Sequence, residues 1–159
     1  MTDICRLAHG MSFQGSWDAA TSYLSSMGYI WEKISATDSQ EKSTAGLFFA
    51  YLPRLEILAQ RGYLTLFDST HKLNFYSYNL FSFTCRDQYG NWIPGGHCLV
   101  ERENSAILTA GLKKLKFWSE NKWRIAYALT DNSAVEQRAV KDEFSFVREV
   151  NGHLHGYLF

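Results

Sequence analysis

The sequence predicts an α/β domain organised around one mixed sheet, and three observations carry that reading. Two runs, 63–67 and 123–130, are apolar or β-favouring on both faces, as in central strands covered on both sides. Between them, aromatic residues alternate with small or polar ones over 74–86. The turn-forming group Asp87-Gln88-Tyr89-Gly90-Asn91 then leads into another strand. Finally, helical spacing follows each later strand, so helices return to the sheet as layer architectures require.

Taken in order, Trp17, Ala20, Leu24, Met27 and Trp31 recur at helical spacing behind Ser16 as a cap, which predicts a helix over 17–31 despite Gly28. Residues 35–45 are small and polar and read as a surface loop or strand connection. A short apolar run follows at 47–51. Pro53 then suits the first turn of a helix, with Leu55, Ile57 and Leu58 inward and Gly62 placed to end it. The doubly apolar strand 63–67, the aromatic strand 74–86 and the strand 92–100 are joined by short connections and read as antiparallel. Pro94-Gly95-Gly96 marks a bulge or an edge. Leu108, Leu112, Leu115 and Trp118 give the next helix, capped at Asn104 or Ser105, with Lys113, Lys114 and Lys116 on its outer side. After strand 123–130, Asp131-Asn132-Ser133 opens a last helix carrying Val135, Ala139, Val140 and Phe144.

The chain has 159 residues, 46% apolar and 16% aromatic, enough for one core of ordinary size. Sixteen basic and sixteen acidic residues cancel, so any nucleic-acid contact would rely on a local patch. The start has no apolar leader, and no stretch approaches the roughly 18 apolar residues of a membrane span, so a soluble intracellular chain is expected. Cys5, Cys85 and Cys98 are odd in number and lack zinc-ligand spacing, which predicts reduced thiols.

Parallel pairing is most natural between the two doubly apolar strands, whose carboxyl ends would then share one edge. Asp68 and Asp131 become neighbours there, where open α/β sheets place their chemistry. Two facing carboxylates repel unless a cation lies between them, which suggests a divalent metal.

The stretch FDSTHKLNFYSYNLFSFTCRDQYGNWIPGGHCLV, followed by a helix and ALTDNSAVEQRAV, resembles the MULE transposase domain, the catalytic core of Mutator-like DNA transposases. The matched pattern is D-x-T-[YH]-K-x-N, an aromatic hairpin, a D-x-x-G-x-x-x-P turn and strand, and T-D-x-S-x-x-E-x-x-A. The upstream LSSMGYIWEK and GLFFAYLPRLEIL extend the resemblance to residues 20–144. It implies an RNase H-like fold over 46–159 behind a helical and polar extension, 1–45. It also implies two aspartates and a glutamate binding Mg2+ or Mn2+ for DNA strand cleavage and transfer, transposon-end DNA as partner, a nuclear location and oligomers among full-length relatives.

Asp68 matches the first metal-binding aspartate of that family and Asp131 the second. The third acid has no match, because KDEFSFVREVNGHLHGYLF ends before the family's Cys/His pair and its glutamate-bearing helix. A chain cut short and without strand-cutting activity of its own is therefore expected. Glu136 and Glu143 are the stand-ins for the third acid, with Glu149 more remote; yet Ser133-Ala134-Val135-Glu136 equally fits a capping box. Asp68 equally suits a strand-end turn, and Asp131 a helix N-terminus. His71, Lys72, Lys113, Lys114 and Lys116, with Lys122 and Arg124, are candidate DNA contacts, or a polar strand start and a solvated helix face. His97 and Cys98 are adjacent on a strand and point to opposite faces. A non-catalytic binding module and a nuclease with a surrogate acid are the alternative functions.

Overall fold

The computed structural model describes residues 17–35, 44–70, 78–102, 104–131, 133–144 and 148–151. Helix α1 spans Trp17–Ser26, strand β1 Tyr29–Ser35 and β2 Thr44–Tyr51. Then follow α2 (Leu52–Arg61), β3 (Leu64–Thr70), β4 (Asn79–Arg86), β5 (Trp92–Val100), α3 (Ser105–Trp118), β6 (Tyr127–Thr130), α4 (Ala134–Glu143) and β7 (Arg148–Asn151). The strands form one seven-stranded sheet in the order β1-β2-β5-β4-β3-β6-β7. Pairs from β1 through to β3 are antiparallel, while β3–β6 and β6–β7 are parallel. The expected mixed sheet is present, including the parallel pair that sets the two aspartates on one edge.

Alternation along the strands divides the core. Phe48, Phe67, Phe81, Phe83 and Cys98 face α2, α3 and α4, and Trp123 fills the same layer. Leu47, Phe49, Leu80 and Leu99 face Ala20 and Leu24 of α1 on the other side. Trp123 is fully buried, its ring set against Phe83 and Phe144 and its indole N–H 3.3 Å from Thr65 Oγ1. Two glycines allow the helices to close on the sheet. A Cβ on Gly111 would fall 1.5 Å from the Phe48 ring, and one on Gly95 would fall 2.5 Å from Leu58 Cβ.

Three local expectations change. The first helix ends at Ser26 instead of reaching residue 31, because Gly28 adopts φ +76 and Met27 and Gly28 close the last turn onto Tyr23, Leu24 and Ser25 carbonyls. Residues 29–35 then pair with β2, so Met27 and Trp31 do not continue the helical stripe. The N-terminal part accordingly adds a strand to the sheet as well as a helix, and the expected boundary at 45/46 lies inside β2. Strand 123–130 shortens to Tyr127–Thr130, since Trp123 turns into the helix-side core and its backbone N–H binds Ser119 Oγ. Of the alternatives for Pro94-Gly95-Gly96, the bulge is present: Phe83 pairs with Gly96 and Thr84 with Pro94, leaving Gly95 as the extra residue in an interior strand. Of the predicted strand 74–86, residues 74–77 lie outside the described residues, and β4 starts at Asn79.

Other readings hold. Pro53 opens α2, Gly62 N–H closes it on Leu58, and Asp87 accepts from Tyr89 and Asn91 N–H in the β4–β5 turn. Asn104 caps α3 through Ala106 and Ile107 N–H. Among the described residues no helix is long and apolar enough to cross a membrane. Cys85 and Cys98 are free and buried, and burial raises both thiols, Cys85 to about 11.

Candidate metal centre

β3 and β6 position the two aspartates. Their parallel register pairs Leu64 with Tyr127, Thr65 with Ala128 and Leu66 with Leu129. Continued by two residues, it brings Asp68 level with Asp131, on neighbouring strands whose axes lie about 4.8 Å apart. Both residues are exposed. Asp68 lies within β3, paired with Ser82, and the strand runs on to Thr70. The strand-end turn reading of Asp68 is thereby corrected: ladder pairing holds its backbone, and its side chain is left for another task.

Glu136 reaches this edge from the helix layer. Ser133 caps α4 by accepting from Glu136 N–H at 3.4 Å. Only that half of the expected capping box forms. The Glu136 side chain is fully buried, and neither of its oxygens has a hydrogen-bond partner of normal geometry. Burial, against the opposing pull of the Ser69 hydroxyl and the Asp131 backbone and with a smaller push from the charges of Asp131 and Asp68, raises its pKa to about 7. Thr130 Oγ1, at the end of β6 just before Asp131, is likewise buried without a partner. Unsatisfied buried polar atoms are few in folded proteins. Three of the four found among the described residues belong to Thr130 and Glu136.

Strand alternation explains why Glu136 and Asp68 do not converge. Ser69 pairs with Phe81, a residue of the helix-side core, so Ser69 and Glu136 share that side. Asp68, one residue earlier, points to the opposite face. Among the described residues no group of three or more His, Cys, Asp or Glu is arranged to hold a metal ion. The donor chemistry fits one hard cation shared by Asp68 and Asp131, since magnesium is commonly bound through one or two carboxylates and water. It does not fit two ions as the side chains stand.

Glu143, the other stand-in, binds Lys116 at 3.1 Å between α3 and α4 and does not enter the edge. Glu149 lies on β7 opposite Ala128. The basic cluster is partly neutralised: Lys114 pairs with Glu32 at 2.6 Å, Lys116 with Glu143, and Lys122 with Glu120. Lys113 is exposed on α3. This is the pattern of a solvated, locally paired helix face, and it removes Lys114 and Lys116 as free phosphate contacts. His71 and Lys72 lie outside the described residues.

Sequence reasoning weighed His97 only beside Cys98 and passed over Ser82; the two side chains meet at 3.0 Å between Ser82 Oγ and His97 Nδ1. His97 is buried and stacked on Phe49, with ring centroids 5.0 Å apart. Burial, with the nearby Arg54 charge, lowers its pKa to about 3 and keeps it neutral. The signal was present in β4, where Ser82 interrupts two phenylalanines.

A mixed sheet with antiparallel strands on one side of β3, parallel strands on the other, and helices packed over it defines an RNase H-like domain. The chain belongs to the family described as Zinc finger SWIM domain-containing protein 1/3, RNaseH-like domain, whose model matches residues 31–150. No curated protein matches it.

Proposed function

We propose that this chain is a transposase-derived RNase H-like domain that binds a divalent cation and DNA phosphate at the Asp68–Asp131 edge, and that it does not cut DNA by itself. The supporting observation is the parallel register of β3 and β6, which, continued past Leu66 and Leu129, brings the exposed Asp68 and Asp131 level with each other. The linked motifs shared with Mutator-like transposases support the same reading. A bound Mg2+ or Mn2+ would supply Lewis-acid polarisation of a phosphoryl oxygen. Asp68 and Asp131 supply negative charge and oxygen donors. Glu136, half protonated near pH 7 and turned to the helix side, leaves the site short of the third acid needed to order two ions.

Calorimetric titration with Mn2+ and a nicking assay on supercoiled DNA test this together. Expected are binding that Asp68→Ala and Asp131→Ala each remove, and no nicking. Robust cleavage abolished by Asp68→Ala would refute the inactive reading.

One observation favours a second reading, a nuclease with Glu136 as surrogate third acid: its carboxylate is buried, without a hydrogen-bond partner of normal geometry, and close enough to feel both aspartates. Under that reading cleavage occurs, rises with pH through about 7 as Glu136 ionises, and is lost in Glu136→Gln.

A further inference from the structure

The face of the sheet that carries Asp68 contains a row of cross-strand partners. Phe49 lies opposite His97, His97 opposite Ser82, and Ser82 opposite Asp68. Residues paired in register share a face, so these four side chains run side by side from the α1-covered core to the aspartate edge. The remainder of that layer is built from Leu47, Leu80 and Leu99. A histidine and a serine within it sacrifice apolar burial, and a buried imidazole costs free energy unless it is hydrogen-bonded. The bond is there, at 3.0 Å between His97 Nδ1 and Ser82 Oγ. Ser82 is half-buried, between the buried imidazole and the exposed carboxylate.

A serine hydroxyl has one hydrogen to give. If Ser82 donates to His97, it has none for Asp68. If neutral His97 carries its proton on Nδ1 and donates to Ser82 Oγ, the hydroxyl hydrogen is free to turn towards the carboxylate. Directly opposed Cβ atoms in an antiparallel pair are about 4.5–5.5 Å apart, within the span of a serine–aspartate hydrogen bond. We propose that His97 and Ser82 are positioning residues for Asp68, forming the chain His97 Nδ1–H to Ser82 Oγ and Ser82 O–H to the Asp68 carboxylate. This rests on the reading of Asp68 as a cation ligand. One carboxylate oxygen is held by Ser82 and the other is presented to the cation, so the pair fixes the ligand without touching the ion. Groups in such a supporting position commonly alter metal affinity by about 10–100-fold when removed.

Two measurements on the full chain test the assignment. Nitrogen-15 NMR of the wild-type histidines at neutral pH should show His97 protonated on Nδ1; protonation on Nε2 alone overturns the chain, because Ser82 would then be the donor to His97. In Mn2+ titrations, Ser82→Ala should weaken binding by about 10-fold while Ser82→Thr, which keeps the hydroxyl, restores it. Thermal melting checks that both variants are folded. If the wild type binds Mn2+ through Asp68 and Ser82→Ala binds equally well, the positioning role fails and the metal reading stands. If the wild type binds no Mn2+, both fail.

Discussion

Replacing Glu136 by Gln should stabilise the fold at neutral and alkaline pH. The carboxyl group is fully buried, and burial lifts its pKa from 4.5 to about 7. In the unfolded chain the group ionises near pH 4.5; in the folded chain it keeps its proton until about pH 7. The sign follows from linkage: the folded state binds more protons between these values, so stability is fully present below pH 4.5 and falls as pH rises to 7. A shift of this size corresponds to roughly 3 kcal/mol of lost stability above pH 7, and about 1 kcal/mol or less at pH 5. Gln keeps the shape and removes the charge, and its unpaired amide offsets part of the gain. We therefore expect Glu136→Gln to be more stable by about 1–3 kcal/mol at pH 8 and close to wild type at pH 5. Urea unfolding at the two pH values, followed by tryptophan fluorescence, measures this. Equal stability at pH 8, or the same difference at both pH values, would refute the claim that an uncompensated carboxylate is buried there. A group that weakens its own fold is expected where function, rather than stability, has placed it.

Three further outcomes follow from the core. Gly111→Ala should destabilise by about 1–3 kcal/mol in urea unfolding, because the added methyl overlaps Phe48 and must displace either that ring or α3. With Glu136→Gln as the background, stability should fall as pH drops below 6.5 with a slope of up to about 1.4 kcal/mol per pH unit, since unfolded His97 takes a proton that the folded site refuses until about pH 3. The background matters: between pH 4.5 and 6.5 wild-type Glu136 changes stability in the opposite direction, so the His97 slope is masked there. Cys85 and Cys98 should resist alkylation at pH 8 until the chain is unfolded, because burial raises both thiols; rapid labelling of either under native conditions would contradict their placement.

Local pattern carried much of the architecture. The Asp87 turn, Pro53 and the caps at Asn104 and Ser133 act within a few residues of themselves, and each appears where its chemistry placed it. The parallel neighbours β3 and β6 were legible from the two doubly apolar runs, although the second run contributes only its last four residues to the sheet. Gly28 shows how such reading fails: Met27 and Trp31 continued a helical period, but the backbone at φ +76 and the pairing of β1 with β2 overrode it.

By itself the sequence determined the α/β class, the order of elements from β3 to α4 and the two aspartates at the edge. Only the tertiary structure decided what surrounds them. Whether Glu136 caps a helix or lies buried beside Asp131 depends on how α4 packs over the sheet. That Ser82 and His97 form a row leading to Asp68 depends on the register of three strands, including a bulge at Gly95. A strand's alternation is encoded residue by residue, but its register is a relation between distant segments, fixed when hydrogen-bond ladders and both core layers are satisfied together.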